Sequence, residues 1–341
     1  MKKVISLVIF LFLLTACSKN DVESISKRFS DDVNNAKSYA ILAKMKIISD
    51  EEEFNYNLDI KYLEGDYYKV ILNNTNNNHE QIILRNNDGV YVITPSLNKS
   101  FKFDSSWPNN SSQAYLLHSL LNDINSDKKT KLKEEKGIYI ITSKVNYPNN
   151  EELAKEDIYF DNKMNINKVI VYDNDNNERI IVEFNKVDLK ANLDEKDFKL
   201  EDNISNNSEQ EKNCEGSNCD KETSNILDDI IYPLYLPSNT FLTSSETINN
   251  ETGKRVILTF AGEKDFTIVE ENVIKSKEFE VNPVFGDPII LNDTIGVIED
   301  NSIRWSKGNI SYYLTSNNLS SSEMATIASS MNEAKSVLGS K

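Results

Sequence analysis

Histidine and glycine are scarce in this chain of 341 residues, and each shortage argues against a class of site. Only two histidines are present, His79 and His118, too few to build a typical His-based metal site or a Ser/His/Asp triad. Ten glycines leave little material for a glycine-rich phosphate loop, and the motifs G-x-S-x-G, G-x-x-x-x-G-K and H-E-x-x-H are absent. We therefore expect no catalytic residues, no metal ligands, no cofactor and no enzyme activity.

Basic residues are also in short supply, with 38 Lys and Arg against 54 Asp and Glu and a net charge of −16. Removal of the first sixteen residues would take away Lys2 and Lys3 and bring the charge to −18. A chain this acidic repels nucleic-acid phosphates, and it lacks the basic stripe that would overcome the repulsion. The composition therefore predicts no nucleic-acid partner.

Long apolar runs are missing except for residues 4–14. A membrane-spanning helix needs about 20 apolar residues, so this run is too short to cross a bilayer. Its two preceding lysines and the small residues that follow are typical of a secretory signal. We expect a signal peptide over residues 1–16 that directs the protein to the extracytoplasmic side of the membrane.

The end of this signal, Leu14-Thr15-Ala16-Cys17, is similar to the lipobox of bacterial lipoproteins. In those proteins cleavage precedes the cysteine and its thiol is diacylated, which here predicts cleavage between Ala16 and Cys17 and lipidation of Cys17. Residues 17–21 would then be a short tether to the membrane. The alternative is an ordinary secretory peptide with an incidental cysteine.

The first two hundred residues combine helical and strand periodicity. Apolar residues recur at helical spacing from Val22 to Val33, and a period of two begins at residue 38, most clearly over residues 54–62. Asp88-Gly89 indicates a hairpin, and a second helix is expected after a serine cap at Ser111 or Ser112. The pattern predicts an α+β fold with a strongly curved antiparallel sheet and helices against its concave side. Further strands are expected at 90–94, 100–103, 137–145, 158–160, 167–172 and 179–184.

Asp173-x-Asp175-x-Asn177 resembles the start of a calcium-binding loop. Glu178 and Leu189 stand where that loop requires glycine and glutamate, so the sequence favours a hairpin turn instead.

A polar, acidic stretch over residues 201–224 divides the chain, because it lacks the apolar residues needed to offset the entropy of ordering. We expect a first domain over residues 22–200, this linker, and a smaller α+β domain over residues 225–341. Cys214 and Cys219 lie within the linker and form either a disulfide or two inert thiols; a zinc site would need four ligands.

The second domain is predicted to consist of strands followed by a helix. Ser320 and Glu323 form a capping box at the start of that helix. Its apolar stripe is expected to pack on the C-terminal sheet rather than to bind a partner. The stripe consists of Met324, Ile327, Ala328, Met331 and Leu338, and the strands are expected near residues 255–261, 266–271, 288–291, 294–299 and 309–315.

Two segments of the first domain resemble a known family. Residues 82–103 read IILRNNDGVYVITPSLNKSFKF and resemble the central hairpin of LolA-like lipoproteins. Residues 106–116 read SWPNNSSQAYL and look like the YdcC type of sporulation lipoprotein and, less fully, the germination lipoprotein GerS. The resemblance covers about residues 20–200. The segments IRWSKGN (303–309) and LSSSE (319–323) resemble a domain of unknown function that commonly follows such domains in Firmicutes.

This resemblance implies a LolA-like half-barrel, an unclosed antiparallel sheet wrapped around helices with an apolar cleft. It leads to two hypotheses for an anchored protein of a Gram-positive, spore-forming host. The first is a non-catalytic scaffold for sporulation or germination that binds a cell-wall or cortex enzyme, on the outer membrane face or between the forespore membranes. The second is a carrier that binds lipid or lipoprotein acyl chains in the cleft.

Residues from alternating strand positions are candidates to line such a cleft. Alternation alone leaves open whether this face meets a ligand or simply the helices. The candidates are Tyr56, Leu58, Ile60, Tyr68, Val70, Leu84, Tyr91 and Ile93.

Overall fold

The computed structural model describes residues 21–49, 52–204, 227, 230–250, 253–276 and 278–331. Two β-sheets dominate these residues, one of twelve strands and one of seven. Eleven strands of the larger sheet come from residues 38–188: β1 (Ser38–Ser49), β2 (Glu52–Leu63), β3 (Tyr67–Asn74), β4 (His79–Asn86), β5 (Gly89–Thr94), β6 (Lys99–Phe103), β7 (Lys131–Glu135), β8 (Ile138–Lys144), β9 (Leu153–Phe160), β10 (Ile166–Asp173) and β11 (Glu178–Asp188).

These eleven strands form one open, curved antiparallel sheet. Strands β1 to β6 form a meander on one side, β7 to β11 form a meander on the other, and β1 pairs with β11 between them. A two-residue turn, Asn87-Asp88, joins β4 to β5 and confirms the predicted hairpin. The alternation predicted in β2 is also confirmed, because Tyr56, Leu58 and Ile60 are all buried.

Two helices, α1 (Val22–Asn34) and α2 (Leu117–Ser126), fill much of the concave face. Helix α1 buries Ile25, Phe29 and Val33, and the ring of Phe29 meets that of Phe160 edge-on at 5.3 Å between centroids. The helical stripe predicted between residues 22 and 33 is therefore confirmed. These side chains belong to the core that the sheet and both helices share.

The start of α2 differs from the prediction. The N-cap is Leu116, which offers no side-chain hydrogen bond, and neither Ser111 nor Ser112 caps the helix. Ser112 instead donates from Oγ to Asp123 Oδ1 of α2 at 2.9 Å. The preceding loop therefore holds the helix from the side, and the serine-cap prediction is wrong.

The second sheet and the third helix come from the C-terminal part of the chain. Helix α3 (Ser321–Ser329) begins with the predicted capping box of Ser320 and Glu323 and packs Met324 and Ile327 into a core with the sheet. Leu338 lies outside the described residues. The strands, in spatial order, are β12 (Thr240–Asn250), β13 (Gly253–Gly262), β14 (Phe266–Asn272), β19 (Ile310–Thr315), β18 (Ser302–Lys307), β17 (Thr294–Glu299) and β16 (Asp287–Leu291).

The twelfth strand of the first sheet also comes from the C-terminal part of the chain. Strand β15 (Glu280–Val284) pairs in parallel with β6, and only Phe285 and Gly286 separate it from β16 in the other sheet. Gly286 has a φ of +140°, and a Cβ there would lie 2.1 Å from the carbonyl oxygen of Ile298. The chain can therefore pass from one sheet to the other here only with glycine at this position.

The two sheets share a core as well as this crossing. Val284, Ile295 and Val297 pack into the same apolar cluster as the concave face of the first sheet. Asp287, at the start of β16, accepts hydrogen bonds from Ser105 and, at 2.8 Å, from Asn110. The second sheet is consequently packed firmly against one end of the first.

Gln81 provides the most specific contact between the sheets. Its side-chain amide donates to the carbonyl oxygen of Ile295 at 3.2 Å and accepts from the Ile295 N–H at 2.6 Å. Thr294 Oγ1 donates to the same amide oxygen at 3.1 Å, and Gln81 is only 4 % exposed. One side chain of β4 therefore satisfies both backbone groups of a residue in β17.

Replacement of Gln81 by leucine should destabilise the protein, because it leaves the N–H and C=O of Ile295 buried without partners. The expected loss is about 1–3 kcal/mol in the free energy of unfolding. Urea titrations followed by tryptophan fluorescence would measure it. Thr94→Val is the control, since it removes only a 3.4 Å contact with the same amide; an equal loss in both variants would contradict the assignment.

Candidate binding cleft between the two sheets

A cavity of about 600 Å³ opens between the concave face of the first sheet and the second sheet with its helix. This volume lies within the range typical of ligand sites, about 300–1,000 Å³. We call it the cleft.

The first sheet supplies an apolar wall of the cleft. Met45 and Ile47 project from β1, Leu153 from β9 and Ile180 from β11, with Ile83 of β4 beside them. Met45 is buried, whereas Ile47 and Ile180 are half-buried. These side chains belong to the end of the concave core that α1 and α2 leave open.

The opposite wall comes from β16, β17 and α3. Ile290 and Ile295 face the concave core, and α3 adds the smaller side chains Ala325, Thr326 and Ser329. Small residues on the helix leave room between it and the first sheet. Both sheets thus contribute apolar surface to a single cleft.

The segment 230–236 closes one side of the cleft with Leu234 and Tyr235. Their N–H groups donate to the backbone oxygen and Oγ of Ser330, at 3.3 and 3.1 Å. Leu234 is 78 % exposed, an unusual fraction for a large apolar side chain beside an apolar cavity.

The same segment is also held by a buried carboxyl. Glu270 of β14 accepts the Ile231 N–H at 3.2 Å and has no solvent exposure. Burial raises the pKa of Glu270 to about 7, although the hydrogen bond from Ile231 acts in the opposite direction.

A polar loop borders the cleft on a third side. Tyr115 donates from its hydroxyl to Gln113 Oε1 at 2.7 Å, and Gln113 Nε2 donates to Ser111 at 2.9 Å. Trp107, which precedes this loop, is 2 % exposed and also lines the cleft. The polar groups of this wall are therefore largely engaged with one another.

Two carboxyls are buried near this loop but do not line the cleft. Asp123 Oδ2 and Glu156 Oε2 have no hydrogen-bond partner among the described residues. Burial raises the pKa of Asp123 to about 6, and burial together with the Asp123 charge raises that of Glu156 well above its usual range. Both groups are held toward their protonated forms, as expected for neighbouring buried acids.

The rim of the cleft carries Arg179, Glu52 and Glu152. Arg179 Nε donates to Asp173 Oδ2 at 2.8 Å. Asp173 also accepts the N–H groups of Asp175 and Asn177, and these contacts outweigh its burial and lower its pKa to about 2. This carboxylate therefore organises the β10–β11 turn, which confirms the hairpin predicted there in place of a calcium loop.

The two histidines occupy different environments. His118 packs among the rings of Tyr39, Tyr62 and Tyr68 with centroid distances of 4.3 to 6.3 Å, and burial lowers its pKa. Burial likewise lowers the pKa of His79. Across the described ranges, no group of three or more His, Cys, Asp or Glu side chains could hold a metal ion.

The eight residues predicted to line a cleft do not share one face. Five lie in the core between the concave face and the helices, and none of the eight borders the cleft. Leu84, Tyr91 and Ile93 lie in a separate cluster on the opposite face of the sheet, around Phe198. The five in the concave core are Tyr56, Leu58, Ile60, Tyr68 and Val70.

The prediction that Leu84, Tyr91 and Ile93 line a cleft is wrong, and the reason is physical. Strand β4 contains four consecutive buried residues and β5 contains five, since the segment around Phe198 covers their outer side. A strand buried on both faces shows no alternation from which to assign a face. Ile83, Val90 and Val92 are the members that point to the concave core.

The sequence pattern only weakly identifies the residues that do line the cleft. Met45 and Ile47 alternate with lysines in β1, which indicates a half-buried strand but not a ligand. The contribution of β16 and α3 depends on how the sheets pack. Cys17, Cys214 and Cys219 lie outside the described residues.

No helix within the described ranges is long and apolar enough to cross a membrane.

Comparison with known proteins gives a family match. The model of the Sporulation protein YdcC-like family matches residues 1–198. The sporulation protein YdcC of Bacillus subtilis (strain 168) is 35 % identical over 325 residues, covering 94 % of this chain and 93 % of its own.

Solved structures with a similar fold include a LolA superfamily protein, NE2245 from Nitrosomonas europaea. It is 11 % identical with a TM-score of 0.32, over 54 % of this chain and 99 % of its own. A chain of the Clostridioides difficile CwlD amidase complex with the GerS lipoprotein is 16 % identical with a TM-score of 0.23, over 49 % and 95 %. Both scores are low, and neither likeness extends to function. The predicted α+β architecture, a curved, open antiparallel sheet with helices in its concave face and a smaller C-terminal sheet with a helix, is confirmed by the structure itself.

The buried carboxyl of Glu270 predicts a pH-dependent stability. Because its folded pKa of about 7 exceeds the ordinary value of 4.5, the folded state binds the proton more tightly, and stability falls as pH rises between these values. Glu270→Gln should remove this loss and stabilise the protein at pH 8. At about 1.4 kcal/mol per pKa unit, the rise from 4.5 to about 7 corresponds to a gain on the order of 3 kcal/mol.

Thermal unfolding of both proteins at pH 5 and pH 8 would measure the effect. Glu271→Gln is the matched control, because that neighbouring side chain is paired with Arg255 on the outer surface. Because Asp123 and Glu156 also have raised pKa values, part of the pH dependence should remain in Glu270→Gln. A pH dependence as large as that of wild type would exclude the Glu270 carboxyl as a source.

Proposed function

Because the chain belongs to the YdcC-like family of sporulation proteins, we propose that it is a non-catalytic, membrane-anchored binding protein that holds a partner in the cleft. The partner in this proposal is a cell-wall or cortex protein on the extracytoplasmic side of the membrane.

The cleft is the observation that carries the proposal. It opens to solvent between two sheets that are fixed to each other through Gln81, β15 and a shared core. Preformed clefts with apolar walls are typical of binding sites. Such a rigid arrangement favours recognition, since little conformational entropy remains to be lost on binding.

The residues around the cleft support binding rather than catalysis. Its described lining combines aliphatic and aromatic side chains with hydroxyls and amides, and three charged groups lie at the rim. The buried carboxyls Asp123 and Glu156 have raised pKa values but do not border it. In the proposal these acids lie buried behind the loop and take no part in chemistry.

The sequence near the start supports the anchor. Leu14-Thr15-Ala16-Cys17 would place a diacylated cysteine about four residues before Asp21, the N-cap of α1. The two acyl chains of that cysteine supply the attachment, and the acidic polypeptide adds no attraction to anionic lipids. The partner would then be met close to the membrane surface.

A second candidate function is acyl-chain binding in the same cleft. The continuous apolar wall of Met45, Ile47, Leu153 and Ile180 favours it, and Arg179 at the rim is the one cation among the described lining residues. In this alternative the protein carries or shelters lipid or lipoprotein acyl chains. The experiment that follows separates the two.

Introduction of a charge into the cleft should abolish binding. Ile180→Glu places a carboxylate on the apolar wall, whereas Ile181→Glu places it on the opposite face of the same strand at similar burial. We expect tagged wild type and Ile181→Glu from sporulating cells to retain one stoichiometric cell-wall protein, and Ile180→Glu to lose it.

Mass spectrometry of both proteins and lipids in the purified samples gives the readout. Recovery of stoichiometric lipid without a protein would establish the acyl-chain alternative. Equal retention of the protein by both glutamate variants would rule out the cleft as its site.

The proposed lipid anchor predicts that acylation and membrane association depend on Cys17. Wild-type protein should incorporate labelled palmitate and sediment with membranes, and Cys17→Ala should do neither, because the alanine has no thiol to acylate. Cys214→Ala and Cys219→Ala are matched controls that should keep both properties. Label that persists in Cys17→Ala would contradict the proposed lipidation site.

A further inference from the structure

Among the residues that the structure describes, no strand pairs with one edge of the second sheet inside the cleft. The sheet ends at β16, and Pro288, Ile289 and Ile290 of this strand line the cleft. An edge strand presents backbone N–H and C=O groups that can pair with another chain.

The hairpin register fixes which residue of β16 points outward. A two-residue turn makes Leu291 and Thr294 a hydrogen-bonded pair, so the next pair, Ile290 with Ile295, is not hydrogen-bonded. The backbone groups of Ile290 consequently face away from β17. Those of Ile295 also face away from β16, in agreement with their bonds to Gln81.

The position of Pro288 is consistent with this alternation of inward and outward backbone groups. Pro288 is the next residue whose backbone faces outward, and proline has no N–H to donate. Ile290 thus offers both an N–H and a C=O at the edge, and Pro288 offers a C=O. No hydrogen bond from the described residues reaches these outward groups of Ile290.

On both sides of this edge the cleft has room for the side chains of an added strand. The apolar wall of Met45, Ile47 and Ile180 lies on one side, and Ala325 and Ser329 of α3 lie on the other. Because side chains of a strand alternate between its faces, an added strand would direct them in turn to these two walls.

The other three edges of the two sheets are poorly suited to pairing. Strand β7 is exposed and mostly charged, and Pro283 interrupts the donors of β15. Strand β12 contains a register shift between Leu242 and Ser244. Only the β16 edge combines an outward donor and acceptor with apolar walls.

We propose that the cleft takes an extended segment of a partner polypeptide as an added strand on β16, with apolar residues at alternate positions. Glu52 and Glu152 outnumber Arg179 at the rim, and the chain as a whole is acidic, so the segment carries basic residues at its ends. Backbone pairing supplies affinity and the two walls supply specificity. This inference rests on the proposed function and specifies the form of the partner.

The test uses a phage-displayed library of random heptapeptides against the full-length protein. Enriched peptides should carry apolar residues with a period of two and Lys or Arg at the ends. Their affinity, measured by fluorescence anisotropy, should fall about tenfold in Ile290→Pro, which removes the outward N–H but no bond to β17. Ile290→Val keeps the N–H and most of the side chain and should bind like wild type.

Circular dichroism and melting temperature establish that both variants fold. Pro288 shows that β16 accepts proline at a position whose backbone faces outward. If Ile290→Pro does not fold, peptides N-methylated at successive positions provide the measurement. Affinity should then be lost at every second position only.

Three results would overturn the inference. They are enrichment of peptides with apolar spacing of three and four, no enrichment at all, or affinity that is insensitive to both Ile290→Pro and N-methylation. Binding of the fluorescent fatty acid 11-dansylaminoundecanoic acid that is lost in Ile180→Glu, without peptide enrichment, would assign the cleft to acyl chains. A partner protein captured by wild type and lost in Ile180→Glu would leave the proposed function standing even if peptide pairing fails.

Discussion

The side-chain amide of Gln81 bonds to both backbone groups of Ile295, in the manner of a neighbouring strand. The two contacts, at 3.2 and 2.6 Å, lie in a site with almost no exposure to water. A buried amide without its partners costs more than the contact itself contributes, so these bonds restrict the two sheets to one relative position. The cleft depends on that position, because one wall belongs to each sheet.

Further contacts also fix the relative position of the two sheets. Strand β15 continues the first sheet and passes at once into β16 through Gly286, where any side chain would clash with Ile298. Tyr56 donates from its hydroxyl to the carbonyl oxygen of Asn292 at 2.8 Å, in the turn between β16 and β17. The edge of β16 is therefore held at a fixed height above the concave face, which is what an added strand or an acyl chain would require.

The sequence best predicts which residues are buried where one face of a helix or strand is buried and the other is exposed to solvent. Alternation in β2 and the stripe of α1 led directly to buried residues such as Leu58 and Phe29. Strands β7 and β12 escape detection, since they are exposed edges with no apolar alternation. Leu84 and Tyr91 were assigned to the wrong face because both faces of their strands are covered. The cleft itself arises from residues far apart in sequence, and no local pattern joins Ile180 to Ile290.

In the proposed function, this YdcC-like protein binds its partner in the cleft between the two sheets. The most direct test is site-specific photo-crosslinking in sporulating cells, with a photoreactive amino acid in place of Thr326 on the cleft side of α3. The proposed function predicts one discrete protein adduct from this position and none from Glu183, an exposed position of β11. A protein adduct from Glu183 alone, or only lipid adducts from position 326, would contradict it.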